Sequence, residues 1–352
     1  MNRVYGTWMG VVTCAALWAG SLGATAGCAV AQEQDAQEKA PAAVDDRAVP
    51  MSVEAEGGLD RVYTLEHFVT VGPGRRVHAV EKFTLRSWLR SERRAILLLP
   101  GTIVKASFYD FDVDGYRFQS DLAKAGFFTF AIDSEGSGES TKPDDGHTAT
   151  HSFLVDEGRT VLNAIRVLRA VPQVDVLGEA NGGAVAAELC ADLAARTCVM
   201  SSMLYRTGTP FFTSVYLDPA FIAMIDNQPK GYMNVTEAMY FNIAPRSPAP
   251  VAAEIFAKQP GTFAVDPMLA HIHGLPWFDP THARVPGLLI QGTADDISTQ
   301  SDAEDLRAAY GSVGHGRAQL VRIAGANHTP RIENAPFNTQ YETAVLDFLN
   351  AH

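Results

Sequence analysis

The stretch Val174-Asp175-Val176-Leu177-Gly178-Glu179-Ala180-Asn181-Gly182-Gly183-Ala184-Val185-Ala186-Ala187-Glu188-Leu189 decides how this chain is read. It opens as a short apolar, β-branched run, turns sharply at glycines, and continues as an Ala-rich run with helical spacing. A strand, a tight turn and a helix form the setting of the pattern G-x-S-x-G, whose middle residue sits at the tip of a strained turn. Gly178 and Gly182 stand where that turn leaves no room for a β-carbon. The middle position holds Ala180, which has no nucleophilic atom. Local geometry and local chemistry therefore point in different directions.

The chain on either side has a regular rhythm. Val62 to Thr70 and Arg76 to Leu85 read as strands, with Gly72-Pro73-Gly74 as the turn between them. Ala95-Ile96-Leu97-Leu98-Leu99 is a continuous apolar run, as expected of a buried strand, and stops at Pro100-Gly101-Thr102. Tyr116 to Ala125 has helical spacing, and Phe127 to Ile132 is another apolar strand. A helix is expected over about 150–170, with Phe153, Val155, Val161, Ile165 and Leu168 as its inner face. The helix after the turn is expected to run to about Ala195, followed by a strand near Cys198 to Leu204.

This alternation implies a mostly parallel sheet covered on both faces. It breaks at about 205–284, where no strand run is clear and Pro, Met and aromatic residues are frequent. Among them are Phe212, Tyr216, Phe221, Met224, Met233, Tyr240, Phe241 and Trp277. The segment reads as a mostly helical cap over the sheet edge where ligands bind, although the same side chains could form only the cap's own core. The alternation then resumes: a strand at Gly287 to Ile290, a helix at Ser301 to Tyr310, a strand at Ala318 to Ile323, and a last helix from Thr339 to Leu349.

The 352 residues suffice for one large α/β domain with an insertion. A net charge of -12 argues against a nucleic-acid surface, which needs clustered Lys and Arg. Residues 1–31 read as a secretion signal: Arg3 is the only charge before Glu33, the run from Trp8 to Gly27 is apolar and small, and Ala29-Val30-Ala31 fits a small-x-small cleavage site. A second reading takes Thr25-Ala26-Gly27-Cys28 as a lipoprotein box with a lipid anchor on Cys28. Either way a secreted or periplasmic location follows, and no later stretch is long and apolar enough to span a bilayer. Residues 32–58 are polar and read as a flexible tether. Cys190 and Cys198 are then the remaining thiols, either a disulfide in an oxidising compartment or two buried hydrophobes.

Several features together resemble the α/β-hydrolase family, over about Val62 to His352. Pro100-Gly101-Thr102 is similar to the family's oxyanion loop. Asp133, Gly136, Gly138 and Ser140 match its Asp-x-x-Gly-x-Gly-x-Ser. The elbow follows at Gly178 to Gly182. Gly292-Thr293-Ala294-Asp295 places the family's acid at Asp295, and His328 follows the last strand in the position of the catalytic histidine. The order nucleophile, acid, histidine is the family's. The resemblance implies an α/β-hydrolase fold at 59–352 with a helical cap. It also implies Asp295 holding the His328 imidazole, and the N–H groups of Thr102 and Asn181 forming an oxyanion hole. Asp296 competes for the acid's role.

Ala180 is where the chain departs from that pattern, since acylation needs an oxygen or sulfur at this position. Glu179 leaves the turn in another direction, and no feature of the sequence ties Ser201, Ser202 or Thr207 to His328. Three readings fit: a Ser-to-Ala form of a serine hydrolase, built for a small to medium apolar ester and blocked as it stands; an Asp–His pair that activates water directly; and a non-catalytic binder that has kept the pocket. Neither a metal nor another cofactor is called for. His271 and His273 lack companion ligands, and Gly136-Ser137-Gly138 lacks the rest of a dinucleotide fingerprint.

Overall fold

The central sheet grows outward from the three most hydrophobic runs of the sequence. The computed structural model describes residues 44–45, 50–53, 58–236, 239, 246–269 and 274–352. The signal segment, Cys28, Tyr240, Phe241, His271 and His273 lie outside the described residues. In chain order the strands are β1 (Val44–Asp45), β2 (Pro50–Val53), β3 (Tyr63–Gly72), β4 (Arg75–Phe83), β5 (Arg94–Leu99), β6 (Phe127–Ile132), β7 (Val174–Glu179), β8 (Ala195–Ser201), β9 (Tyr232–Asn234), β10 (Thr262–Ala264), β11 (Gly287–Gly292) and β12 (Ala318–Ile323). The helices are α1 (Leu85–Leu89), α2 (Phe118–Lys124), α3 (His151–Arg169), α4 (Asn181–Leu189), α5 (Pro210–Tyr216), α6 (Pro219–Asp226), α7 (Ala249–Lys258), α8 (Asp266–Leu269), α9 (Gln300–Ala309) and α10 (Phe337–Ala351).

The main sheet has the order β1-β3-β4-β6-β5-β7-β8-β11-β12, with β2 also pairing β3. From β6 to β12 every pairing is parallel, while β3 and β4 are antiparallel additions at one side. Every residue of β5, β6, β7 and β11 is buried. Strand alternation divides them between two cores. Ala95, Leu97 and Leu99 of β5 pack toward α3 and α4, and Ile96 and Leu98 pack toward α2 and α10. The sheet is thus covered on both faces, as the alternation of strand and helix runs requires. No described helix is long and apolar enough to cross a membrane.

Three expectations are corrected. Helix α4 stops at Leu189 instead of running to Ala195, because the Asp192 side chain accepts the Ala194 N–H at 2.9 Å and so holds a turn. Cys190 therefore caps α4 and Cys198 lies inside β8, both buried and free. The segment read as a tether supplies β1 and β2, which pair with the outer edge of β3. Backbone pairing along an open edge needs no apolar side chains, so composition gave no sign of it. The cap contains a two-stranded pairing, Tyr232–Asn234 with Thr262–Ala264. Three-residue strands are too short to show a period.

In α3, Val155, Val161 and Ile165 are buried as expected, and Phe153 and Leu168 are half-buried. The same face buries Glu157, a carboxyl where the periodicity leads one to expect apolar side chains.

The junction that places the elbow is the crossing of α4 over β5. A β-carbon on Gly182 would run into the carbonyls of Leu99 and Pro100, and one on Gly178 into the carbonyl of Gly182. Gly182→Ala must push the first turn of α4 off β5. It is expected to cost about 1–3 kcal/mol, read as a lower urea midpoint at unchanged slope. A midpoint equal to the parent's would contradict this close approach.

Candidate active site

The turn between β7 and α4 holds Ala180 at φ 48°, ψ -118°. An L-residue with a β-carbon rarely adopts positive φ, and such strain costs about 1–3 kcal/mol. The surroundings enforce it. The Ala180 N–H donates to the Ser201 carbonyl at 2.9 Å, and the Ala180 carbonyl accepts from Gly183 at 2.9 Å and Ala184 at 3.3 Å. This is the strained elbow that the glycine spacing predicts, with a methyl group at its tip.

Asp295 and His328 come together across the ends of β11 and β12. His328 Nδ1 lies 3.1 Å and 3.2 Å from the two Asp295 carboxylate oxygens. Asp295 also accepts the N–H of Ile297 at 2.8 Å, the N–H of Ser298 at 3.3 Å and the Ser298 hydroxyl at 3.1 Å. Burial opposes the charge on Asp295, but the imidazole and these donors outweigh it and hold its pKa below the usual carboxylate range. For His328, burial works against protonation, and the Asp295 carboxylate more than offsets it, so its pKa is raised. Asp296 does not share this contact. Its pKa is raised by burial, and its Oδ1 has no partner among the described residues.

The neighbouring candidates are committed elsewhere. Glu179 is buried and held by Arg331, with Nε at 2.6 Å and Nη2 at 3.2 Å, and it accepts the Tyr341 hydroxyl at 3.2 Å. Ser201 pairs with the same Tyr341 hydroxyl at 3.3 Å. The Thr207 N–H donates to Asp302 at 2.7 Å. Ser202 corrects the sequence reading, since its hydroxyl donates to the His328 backbone carbonyl. That contact positions the loop and does not reach the imidazole.

Thr102 and Asn181 meet beside the elbow, where Asn181 Nδ2 donates to Thr102 Oγ1 at 2.9 Å and to the Pro267 carbonyl at 2.7 Å. Asn181 is the first residue of α4, so its N–H has no intrahelical acceptor. No described residue accepts the N–H of either Thr102 or Asn181. A β-carbon on Gly101 would stand 3.5 Å from Ala180 Cβ, so the loop lies directly against the elbow tip.

Ala180, His328, Thr102 and Asn181 all border one cavity of about 450 Å³. The cap supplies its apolar walls through Phe212, Tyr216, Phe221, Met224, Met233 and Trp277. These cap side chains thus face a ligand-sized space as well as each other. His328 Nε2 has no partner among the described residues, so the ring presents its second nitrogen on the side away from Asp295. The arrangement gathers, beside one apolar ligand-sized space, an imidazole whose second nitrogen can exchange a proton and two residues, Thr102 and Asn181, whose N–H groups no described residue accepts. Among the described residues no group of three or more His, Cys, Asp or Glu could hold a metal.

The two pKa shifts fix a pH signature. Asp295, with a lowered folded value, contributes stability above its unfolded pKa and loses it as pH falls through the folded one. His328, with a raised folded value, contributes below its unfolded pKa and loses it as pH rises through the folded one. The pair should stabilise most between roughly pH 4 and 6.5. The melting-temperature gap between the parent and His328→Gln is therefore expected to be widest there and to shrink toward pH 9. A gap that does not vary with pH would contradict the ion pair.

The comparisons with known proteins agree with this fold. The Alpha/beta hydrolase family profile matches residues 96–339. No curated protein sequence matches the chain. Among solved structures, a soluble variant of monoglyceride lipase from Saccharomyces cerevisiae, in complex with a substrate analogue, superposes with TM-score 0.60 at 14% identity, covering 87% of this chain and 96% of that one. A hydrolase from Pseudomonas aeruginosa PA01 gives 0.58 at 18%, covering 81% and 98%. An esterase from Rhodococcus sp. ECU1013 gives 0.56 at 15%, covering 81% and 98%. At these identities the superpositions speak for the fold alone. The profile match takes in the elbow, Asp295 and His328 together and spans more than two thirds of the residues, so the chain belongs to the α/β-hydrolase family.

Proposed function

We propose that this domain is built for acyl-ester hydrolysis of a small to medium apolar substrate, and that Ala180 blocks the covalent route in the chain as written. The observation that carries the reading is Ala180 itself, held at φ 48° beside the cavity that His328 also borders. Acyl transfer calls for a strained elbow tip that shares a cavity with an Asp-supported imidazole, and reversible binding alone calls for neither. In the proposed mechanism an oxygen on residue 180 attacks the acyl carbon while His328 Nε2 takes its proton. Thr102 and Asn181 N–H groups receive the oxyanion, His328 then protonates the leaving alcohol, and water releases the acid. Asp295 keeps the imidazole in one orientation and supports its charge.

A second reading is favoured by the same residue. With a methyl at the tip and an apolar cavity of about 450 Å³ above it, the present chain suits reversible binding of an ester-like or acid-bearing small molecule. Export of the domain, either by cleavage before Gln32 or through a lipid anchor on Cys28, is proposed on the N-terminal sequence alone. A mature N-terminus at Gln32, or a lipidated one at Cys28, would separate the two routes.

The deciding experiment compares the protein from Gln32 onward with its Ala180→Ser partner, on activated esters of increasing acyl length and with a fluorophosphonate probe. The Ser form is expected to label and to turn over at least about 10⁴-fold faster than the Ala form. Folded but silent proteins on both sides would favour the binding reading. Turnover by the Ala form that disappears in His328→Gln would instead indicate direct water activation.

A further inference from the structure

Behind the oxyanion loop lies a second, much smaller chamber of about 30 Å³. It shares Gly101, Thr102 and Asn181 with the large cavity, so the loop and the head of α4 form the wall between the two. Its lining mixes apolar side chains, Leu99, Leu154, Val185 and Ala264, with polar ones that include Ser137 and Glu135 from the loop after β6 and Glu157 from α3. All three are at least nine-tenths buried, as is Asn181. Two polar atoms on the chamber's own residues, Ser137 Oγ and Asn181 Oδ1, are buried without a hydrogen-bond partner. The orientation of the Asn181 amide is not arbitrary. The Pro267 carbonyl can only accept, so it must face Nδ2, which leaves Oδ1 as the unpaired end.

Unpaired buried polar atoms are costly, and a chamber needs only about 10–15 Å³ to hold a water. We propose that the chamber is a built-in water site, and that water bound to Ser137 Oγ and Asn181 Oδ1 links the Glu157 carboxyl to the head of α4. Glu157 is then a positioning residue for the oxyanion site. The inference rests on the hydrolase reading above for its functional consequence, but not for the water site itself.

The surroundings of Glu157 decide its protonation. One of its oxygens accepts the Glu135 N–H at 2.9 Å. From β4, the Arg75 guanidinium is committed to the Glu135 carboxylate, with Nε at 3.0 Å and Nη2 at 2.5 Å. Asp133, in the same loop as Glu135, is paired with His78 at 2.9 Å. Asp156 is the adjacent charge on α3, and neither Gly182 and Val185 of α4 nor Ala264 and Pro267 of the cap add one. Burial pushes the Glu157 carboxyl up to about 8, helped by Glu135 and opposed by the Glu135 N–H and Arg75. Near neutral pH it is therefore a neutral acid whose O–H can donate into the chamber. Above that value it becomes an anion in the chamber that Thr102 and Asn181 also line.

A high-resolution crystal structure of the protein as it stands is expected to show ordered water within hydrogen-bond distance of Ser137 Oγ and Asn181 Oδ1. Infrared difference spectra against Glu157→Gln should show a protonated carboxyl band that fades with a midpoint near pH 8. In the Ala180→Ser background, kcat/KM should fall on the order of tenfold above that pH, and Glu157→Gln should remove the alkaline fall. A dry chamber, a missing band, or the same alkaline limb with and without Glu157 would overturn the inference. If the Ala180→Ser form is silent, the hydrolase reading fails alone, and the water and the infrared band still decide the chamber. An active Ser form with no band fails this inference alone.

Discussion

The pairing of Glu179 with Arg331 holds the site in register. Glu179 immediately precedes the elbow tip, and Arg331 lies three residues beyond His328. Both are buried, and the two-point contact ties the end of β7 to the loop that follows β12. The third guanidinium direction donates to the Phe108 carbonyl at 2.9 Å, and the cation lies against the rings of Phe108, Tyr109 and Phe118. Phe108 in turn belongs to the apolar cluster that joins Ile103 and Val104 to Val251 and Ile255 of the cap. One side chain thereby fastens elbow, histidine loop and cap floor. Losing either partner would strand a buried charge at about 3–5 kcal/mol. The same pairing occupies the only carboxylate adjacent to residue 180, which removes Glu179 as a nucleophile.

Much of the fold was legible because its signals are local. The unbroken apolar runs at Arg94–Leu99, Phe127–Ile132 and Gly287–Gly292 are buried on both faces, and each became a central strand. The elbow was legible for a similar reason. Gly178 and Gly182 are required by contacts four residues apart, so spacing alone reports them. The choice of Asp295 over Asp296 was open in the sequence. It is made by the chain turning at Ile297 and Ser298, whose N–H groups both converge on Asp295.

What stayed hidden was carried by partners far apart in the chain. Glu179 and Arg331 are separated by 152 positions, and nothing near either one announces the other. The Asp-x-x-Gly-x-Gly-x-Ser stretch could be noticed but not explained. In the fold, Asp133 accepts His78, the Ala106 N–H and the Glu139 N–H, and a β-carbon on Gly138 would collide with its carboxylate. Glu157 sits on the inner face of an amphipathic helix, and the chamber it borders is assembled from five separate segments. A pattern of hydrophobic residues predicts a face, and it cannot predict an exception whose reason lies across the sheet.

The strain at Ala180 brings these points together. Residue 180 is driven to positive φ by contacts that do not involve its side chain: the Gly178–Gly182 approach, the bond to the Ser201 carbonyl, and the crossing of α4 over β5. The Asp295–His328 pair and the Glu179–Arg331 pairing are equally independent of what residue 180 carries. The scaffold therefore pre-forms its polar corner whether the elbow tip ends in a methyl or a hydroxyl, and the folded state is nearly blind to the difference. Reactivity is not, because acyl transfer needs the lone pair and the proton of that one oxygen. Fold and chemistry are thus controlled by separate sets of atoms. Under the hydrolase reading proposed above, that separation lets a chain keep the elbow turn and the Asp295–His328 pair while residue 180 carries no oxygen.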